Sequence, residues 1–123
     1  MTLLRLVPMH VHAVLETLLA PAMIVAPFAL GFDPGAMIAS VILGVLLMGT
    51  ALATGVALGG AAQNGGLRVS AHASLDLGLA LAAAIFALAF GFGGAGVTGL
   101  FFGAVATLLG ALATTTRYTT VPA

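Results

Sequence analysis

Two pairs of ionisable side chains stand out in a chain that has few others. His12 and Glu16 are four residues apart, and so are His72 and Asp76. On a helix, residues at this spacing share one face. Imidazole and carboxylate groups bond to each other, bind divalent metal ions and relay protons. These four residues are therefore the candidate polar cluster of the protein.

The rest of the chain is strongly apolar. Of its 123 residues 62% are hydrophobic and 5% are charged, with 3 Lys+Arg and 3 Asp+Glu. A soluble domain has about 25% charged residues, so this chain has too few to cover a water-facing surface. Each transmembrane helix needs about 20 apolar residues, and four such spans account for nearly the whole length. We expect a single integral membrane domain over residues 1–123.

The elements that must position the two pairs are four apolar segments, over residues 11–32, 36–58, 71–92 and 95–116. A turn signal at residues 33–35 (Asp-Pro-Gly) separates the first two, and a polar linker over 59–70 precedes the third. Residues 93–94 (Gly-Gly) separate the last two. Because backbone exposed to lipid must satisfy its own hydrogen bonds, these segments are predicted to be helices. The expected fold class is an all-α membrane protein with four transmembrane helices.

An internal repeat relates the two pairs. Residues 11–32 align with residues 71–92 at an offset of 60, with nine of 22 positions identical and Glu16 over Asp76. The second helices align at an offset of 59, which fits a turn one residue shorter. This predicts two tandem helical hairpins, repeat 1 over about 11–58 and repeat 2 over about 71–117, related by a pseudo-two-fold axis along the membrane normal. Such an axis would bring both pairs together in the bundle.

These motifs resemble the SPW-repeat integral membrane proteins of bacteria. A repeat of that family begins with His-x-x-Leu-acid, continues with Ser/Ala-Pro-Trp/Phe and ends with Leu-Gly-Phe before a turn. Residues 12–16 (HAVLE) and 26–32 (APFALGF) follow this pattern, as do residues 72–76 (HASLD). The second copy ends FALAFGF over 86–92, with Ala87 at the proline position, and the chain has no tryptophan. The resemblance implies a four-helix fold in a bacterial membrane and no particular activity.

Three interpretations of the polar cluster follow from its residue types. Ionisable groups within a span are costly, so all four side chains should face the bundle interior. The favoured interpretation is a hydrogen-bond network that fixes the hairpins against each other. A divalent metal site is an alternative, but no further ligand is visible, and we assign no metal or cofactor from the sequence. A proton or ion path is the other alternative, although the central thirds of the helices offer almost no polar groups to continue it.

Small residues and prolines suggest how the helices pack. The fourth helix has small residues at spacings of 3 and 4, and the second helix has a partial copy of this stripe. Such stripes let helix backbones approach closely, within the chain or in a homodimer through the fourth helix. The predicted packing residues are Ser40, Gly44, Gly96, Gly99, Gly103 and Gly110. Pro21 and Pro27 each free the carbonyl four residues earlier, so the first helix should bend.

The arginines predict the orientation in the membrane. Arg5, Arg68 and Arg117 all fall on the side of the termini and the linker, and the hairpin turns contain neither Lys nor Arg. The positive-inside rule then predicts that both termini lie in the cytoplasm. The resemblance to the bacterial family implies that the membrane is the plasma (inner) membrane.

The function predicted from the sequence is a non-enzymatic scaffold or accessory protein, and the alternative is a minimal ion or proton-coupled transporter. No nucleotide-binding loop, nucleophile motif or haem-attachment motif is present. The expected partners are the lipid bilayer and either a second copy or an unidentified membrane protein. A net charge of zero without a basic run excludes nucleic acid.

Overall fold

The residues that the structure describes form four helices, as predicted. The computed structural model describes residues 6–58 and 69–116, which form α1 (Met9–Ala29), α2 (Pro34–Leu58), α3 (Val69–Phe92) and α4 (Gly96–Thr115). All four are long and apolar enough to span a membrane. The fold class is therefore that of an all-α, four-helix, multi-pass membrane protein. The three arginines that predict the orientation, and residues 59–68 of the predicted linker, lie outside the described residues.

The helix ends agree with the predicted ones to within three residues, and the larger differences have identifiable reasons. Helix α1 ends at Ala29 rather than near residue 32, because Gly31 adopts a left-handed conformation with φ +67°. The Phe32 N–H then donates to the Pro27 carbonyl oxygen at 2.9 Å, which closes the helix end. Helix α2 begins at Pro34, since proline fits the first turn of a helix.

The two hairpins are connected differently at their turns. Four residues, 30–33, separate α1 from α2, and three residues, 93–95, separate α3 from α4. In the second hairpin the left-handed glycine is Gly94, with φ +92°. Helix α3 therefore continues through Gly91 and Phe92, the repeat equivalents of Gly31 and Phe32. The shorter second turn agrees with the change of offset between the aligned helices.

This difference gives the two equivalent phenylalanines opposite environments. Phe32 is buried, and its ring packs edge-on against Phe101 at a centroid distance of 5.2 Å and tilted against Phe102 at 6.3 Å. Phe92 is 89% exposed. Phe86 and Phe90 also contact the Phe102 ring. At the end of the bundle that contains the turns, aromatic packing therefore joins the first hairpin to the second.

Packing is most extensive within each hairpin, between α1 and α2 and between α3 and α4, and less extensive between α2 and α3. The core lies along the bundle axis and includes Met23, Leu47, Ala83, Phe102 and Leu109. At the end opposite the turns, the Val7 N–H donates to the Thr115 carbonyl oxygen at 3.0 Å. The segment before α1 is thus tied to the end of α4, next to the polar cluster.

Candidate functional site

The structure brings all four residues of the polar cluster into contact. His12 Nε2 lies 2.9 Å from Glu16 Oε1 and 2.9 Å from Asp76 Oδ2. His72 Nε2 lies 3.1 Å from Glu16 Oε2 and 3.2 Å from Asp76 Oδ1. Each carboxylate therefore spans both imidazoles, and each imidazole contacts both carboxylates. The result is a closed ring of four N···O contacts, two of them within a helix and two between α1 and α3.

The ring has the approximate symmetry that the repeat predicts. His12 and His72 are each the fourth residue of their helix, and Glu16 and Asp76 are each the eighth. At about 1.5 Å per residue, they lie about 5 and 11 Å from the helix starts. The imidazole rings meet edge to face, with centroids 5.3 Å apart. The contact across the helices from His12 to Asp76 has its counterpart in the contact from His72 to Glu16.

All four side chains are fully buried, so their charges must balance inside the bundle. An unpaired charge in an apolar interior is strongly disfavoured. Two ionised carboxylates require two positive charges close by. Either two protonated imidazoles or one divalent cation can supply these positive charges. If neither does, the acids themselves must be protonated.

A fifth side chain, Thr116, joins the cluster. Its Oγ1 is hydrogen bonded to His12 Nδ1 at 2.6 Å, and Thr116 is fully buried just after the end of α4. This contact holds the His12 ring so that its Nε2 faces the carboxylates. Thr116 gives no signal in the sequence, because its repeat equivalent at an offset of 59 is Ala57 and it is the third of three consecutive threonines.

Two of the predicted packing residues lie where α1 meets α2. A Cβ atom on Gly44 would be 2.8 Å from Ile24 Cγ1 and 3.0 Å from the Ala20 carbonyl oxygen, so the helices are in close contact there. Ser40 is fully buried, and its hydroxyl donates to the Met23 carbonyl oxygen at 2.6 Å. Ser40 therefore acts as a hydrogen-bond donor as well as a small residue.

The small residues of α4 differ from one another in their surroundings. Gly99 faces α3, and a Cβ atom there would be 2.7 Å from the Gly91 Cα atom. A Cβ atom on Gly103 would be 4.0 Å from the Ala87 Cβ atom, so the packing there is looser. Gly96 and Gly110 have no such neighbour within 4 Å. Close contact within the chain is thus limited to the middle of the predicted stripe, because the buried face of α4 is centred on Phe102, Val105 and Leu109.

The two prolines lie within a continuous α1 helix, which runs from Met9 to Ala29. Pro27 is buried and Pro21 is exposed. Proline has no N–H, so the carbonyl group of Met23 loses its usual partner at position 27. The Ser40 hydroxyl provides the missing donor. The bend expected at these prolines stays a prediction.

An open apolar groove of about 340 Å³ lies between α2 and α3. Its walls include Leu46, Thr50, Leu75 and Leu79. None of the four cluster residues lines this groove. Thr50 donates its hydroxyl to the Leu46 carbonyl oxygen, so the groove presents a nonpolar surface.

Comparison with known proteins finds no matching family model, no matching curated protein and no matching solved structure.

Proposed function

We propose that this protein is a non-enzymatic membrane scaffold or accessory protein whose two hairpins are held in one arrangement by the buried polar cluster. The observation that supports this most directly is that each acid contacts a histidine of both hairpins. Glu16, on the first hairpin, contacts both histidines, and so does Asp76 on the second. Neither hairpin can move away from the other or rotate at this end of the bundle without breaking contacts between fully buried polar groups.

Physical conditions in a bilayer make such a bridge important. Lipid tails are as apolar as the helix surfaces, so no hydrophobic driving force holds two helices together. Packing is the main attraction within each hairpin, where Gly44 and Gly99 lie at close backbone contacts. Between the hairpins the packing is less extensive, and the polar cluster adds specific contacts there.

The surroundings of the cluster favour a structural role over transport. Among the described residues, the buried ionisable side chains are the four of the cluster. The hydroxyls of Ser40 and Thr50, which lie buried in α2, both donate to backbone carbonyl oxygens. A proton or ion path needs polar groups that continue through the bundle. The other buried polar residues are Thr98 and Thr116, so within the part of the chain that the structure describes no further ionisable group extends the cluster.

The proposal also includes the family of the protein, its place in the cell and its partners. The motif residues 12–16, 26–32 and 72–76 support membership of the SPW-repeat type and an origin of the two hairpins by duplication. The resemblance to that bacterial family supports a plasma membrane, and the arginine distribution supports both termini in the cytoplasm. The lipid bilayer is the main partner, and a second copy through α4 or an unidentified membrane protein is the further one. The lack of a basic run argues against nucleic acid.

The proposal is tested by neutralising each acid and measuring stability and transport separately. Removing one partner of a buried ion pair costs about 3–5 kcal/mol, so Glu16→Gln and Asp76→Asn should each lower the free energy of unfolding in detergent by about that amount. His10→Gln is the matched control, because His10 is exposed on the same helix. It should change stability by less than about 0.5 kcal/mol.

The same variants are then reconstituted into liposomes. We expect the wild-type protein to conduct protons and cations no faster than empty liposomes. Flux that the wild type supports and Glu16→Gln abolishes would show a transporter instead. Unchanged stability in both acid variants would contradict the structural role.

A further inference from the structure

We propose that the polar cluster is a binding site for one divalent first-row transition-metal ion, held by His12 Nε2, His72 Nε2 and one oxygen each from Glu16 and Asp76. This inference rests on the proposed role of the cluster, since the ion would be what joins the two hairpins. The sequence predicts that the two i, i+4 pairs come together, and the tertiary structure brings a ligand atom of each residue within 4.8 Å of the others.

Hydrogen-bond counting provides the first argument. The ring contains four N···O contacts of 2.9–3.2 Å. Each Nε2 atom has one proton or one lone pair, never two, so it takes part in one well-aligned hydrogen bond. Two Nε2 atoms thus make two good hydrogen bonds for four contacts, whatever the protonation of the acids. A cation at the centre of the cluster would bind one lone pair from each Nε2 atom and one from an oxygen of each acid. All four side chains would then be bonded to the ion at once.

The geometry of the donors provides the second argument. A ligand atom from each of the four residues lies within 4.8 Å of all the others. In a tetrahedral site with bonds of about 2.0–2.1 Å, neighbouring ligand atoms are about 3.3 Å apart. The four N···O contacts of 2.9–3.2 Å are close to this spacing, and they use both oxygens of each acid. Binding through one oxygen of each acid therefore requires the two carboxyl groups to rotate until that oxygen faces both imidazoles.

Charge and ligand type define the class of ion. Two ionised carboxylates and two neutral imidazoles have a total charge of −2, which one divalent cation cancels in the apolar interior. Imidazole together with carboxylate suits zinc, iron and similar transition ions rather than calcium or magnesium, which prefer all-oxygen sites. Four side-chain ligands without an open position are typical of a structural site.

The Thr116 contact provides an independent argument. Histidines that bind metals usually use their second ring nitrogen for a hydrogen bond, which fixes the tautomer and the ring orientation. The Thr116 hydroxyl contacts His12 Nδ1 in this way, at 2.6 Å. With Nδ1–H donating to Thr116, the Nε2 lone pair points toward the centre of the four donors.

The test uses the full chain, purified in detergent and treated with a chelator, with Co²⁺ as the probe. We expect one Co²⁺ per chain, the intense visible absorption of tetrahedral cobalt, and displacement by Zn²⁺. His12→Ala and His72→Ala should weaken binding by more than the 10- to 100-fold that loss of an outer hydrogen-bond partner costs, and Thr116→Val by about 10-fold. His10→Ala, which removes an exposed histidine of α1, should bind like the wild type.

A second measurement needs no variant that might fail to fold. X-ray absorption at the zinc edge of the wild-type protein should show two imidazole ligands. Fewer than two imidazoles would overturn the proposal. So would the absence of saturable binding at one Co²⁺ per chain, or binding that folded His72→Ala retains at full strength.

The experiment also separates this inference from the structural role. If Glu16→Gln destabilises the chelator-treated protein while the wild type binds no Co²⁺, the cluster joins the hairpins without a metal and the metal proposal is wrong. If the wild type binds one Co²⁺ but Zn²⁺ leaves its unfolding temperature unchanged, the metal site stands and the structural role is wrong.

Discussion

At the scale of single residues, a proline on one helix is matched by a serine on the next. Pro27 leaves the Met23 carbonyl oxygen without its helical partner, and the Ser40 hydroxyl donates to it across the helix contact. The second repeat has alanine at position 87 and glycine at position 99, the equivalents of Pro27 and Ser40. Without the proline the helix supplies its own N–H, so no serine is needed.

The hydrogen bond from Ser40 predicts that substitutions of Pro27 and Ser40 have non-additive effects on the free energy of unfolding. Ser40→Ala leaves a buried carbonyl group without a donor and should lower the free energy of unfolding by about 1–3 kcal/mol. In the Pro27→Ala background an N–H is restored at residue 27, so the same substitution should cost at most a few tenths of a kcal/mol. The double-mutant cycle is measured by reversible unfolding in detergent. Equal costs of Ser40→Ala in both backgrounds would show that the hydroxyl does not replace the missing N–H.

At the scale of the helices, the approach of α4 to α3 depends on one glycine of the small-residue stripe. A Cβ atom on Gly99 would be 2.7 Å from the Gly91 Cα atom and 3.2 Å from the Ala87 carbonyl oxygen, and backbone atoms cannot yield without moving a helix. Gly110 lies on the same helix with open space beside it. The two glycines thus differ in packing while sharing the same secondary structure.

We therefore expect opposite responses to the same substitution. Gly99→Ala should destabilise the protein by about 1–3 kcal/mol, the usual cost of overpacking. Gly110→Ala should be neutral or stabilising by up to about 1 kcal/mol, because alanine favours the helix. Both are measured by thermal unfolding followed by circular dichroism. If Gly110→Ala alone lowered stability or changed the oligomeric mass, α4 would pack there against a second copy.

At the scale of the whole molecule, the two ends of the bundle have different chemistry and the sides are apolar. The polar cluster and the Val7–Thr115 hydrogen bond lie at one end, and the phenylalanines around Phe102 lie at the other. Large hydrophobic side chains such as Leu18, Phe28 and Leu100 are more than 60% exposed along the sides. Such a surface is suited to lipid rather than water.

The orientation of this bundle is testable because the chain has no cysteine. Asp33 lies in the turn between α1 and α2, and the arginine distribution predicts that this turn is outside the cytoplasm. We expect a membrane-impermeant maleimide to label Asp33→Cys in intact spheroplasts and to label Thr2→Cys only after lysis. Labelling of Thr2→Cys before lysis, with Asp33→Cys protected, would reverse the proposed orientation.

Several features of this protein follow from the sequence alone, because they are local. The length and composition of the apolar segments determine four membrane-spanning helices, and the turn residues determine where they end to within three residues. The spacing of His12 and Glu16, and of His72 and Asp76, places each pair on one helix face. The repeat then predicts that the two faces meet, and the contacts between α1 and α3 agree with this.

Only the tertiary structure decided which atoms meet, because this depends on the rotation and axial position of one helix against another. The bridging of both histidines by each acid, and the Thr116 contact with His12, come from residues 56 to 104 positions apart in the chain. The hydrogen bond from the Ser40 hydroxyl to the Met23 carbonyl oxygen likewise joins two different helices. Packing of large side chains across the helices sets these positions, and no periodicity within one helix encodes them.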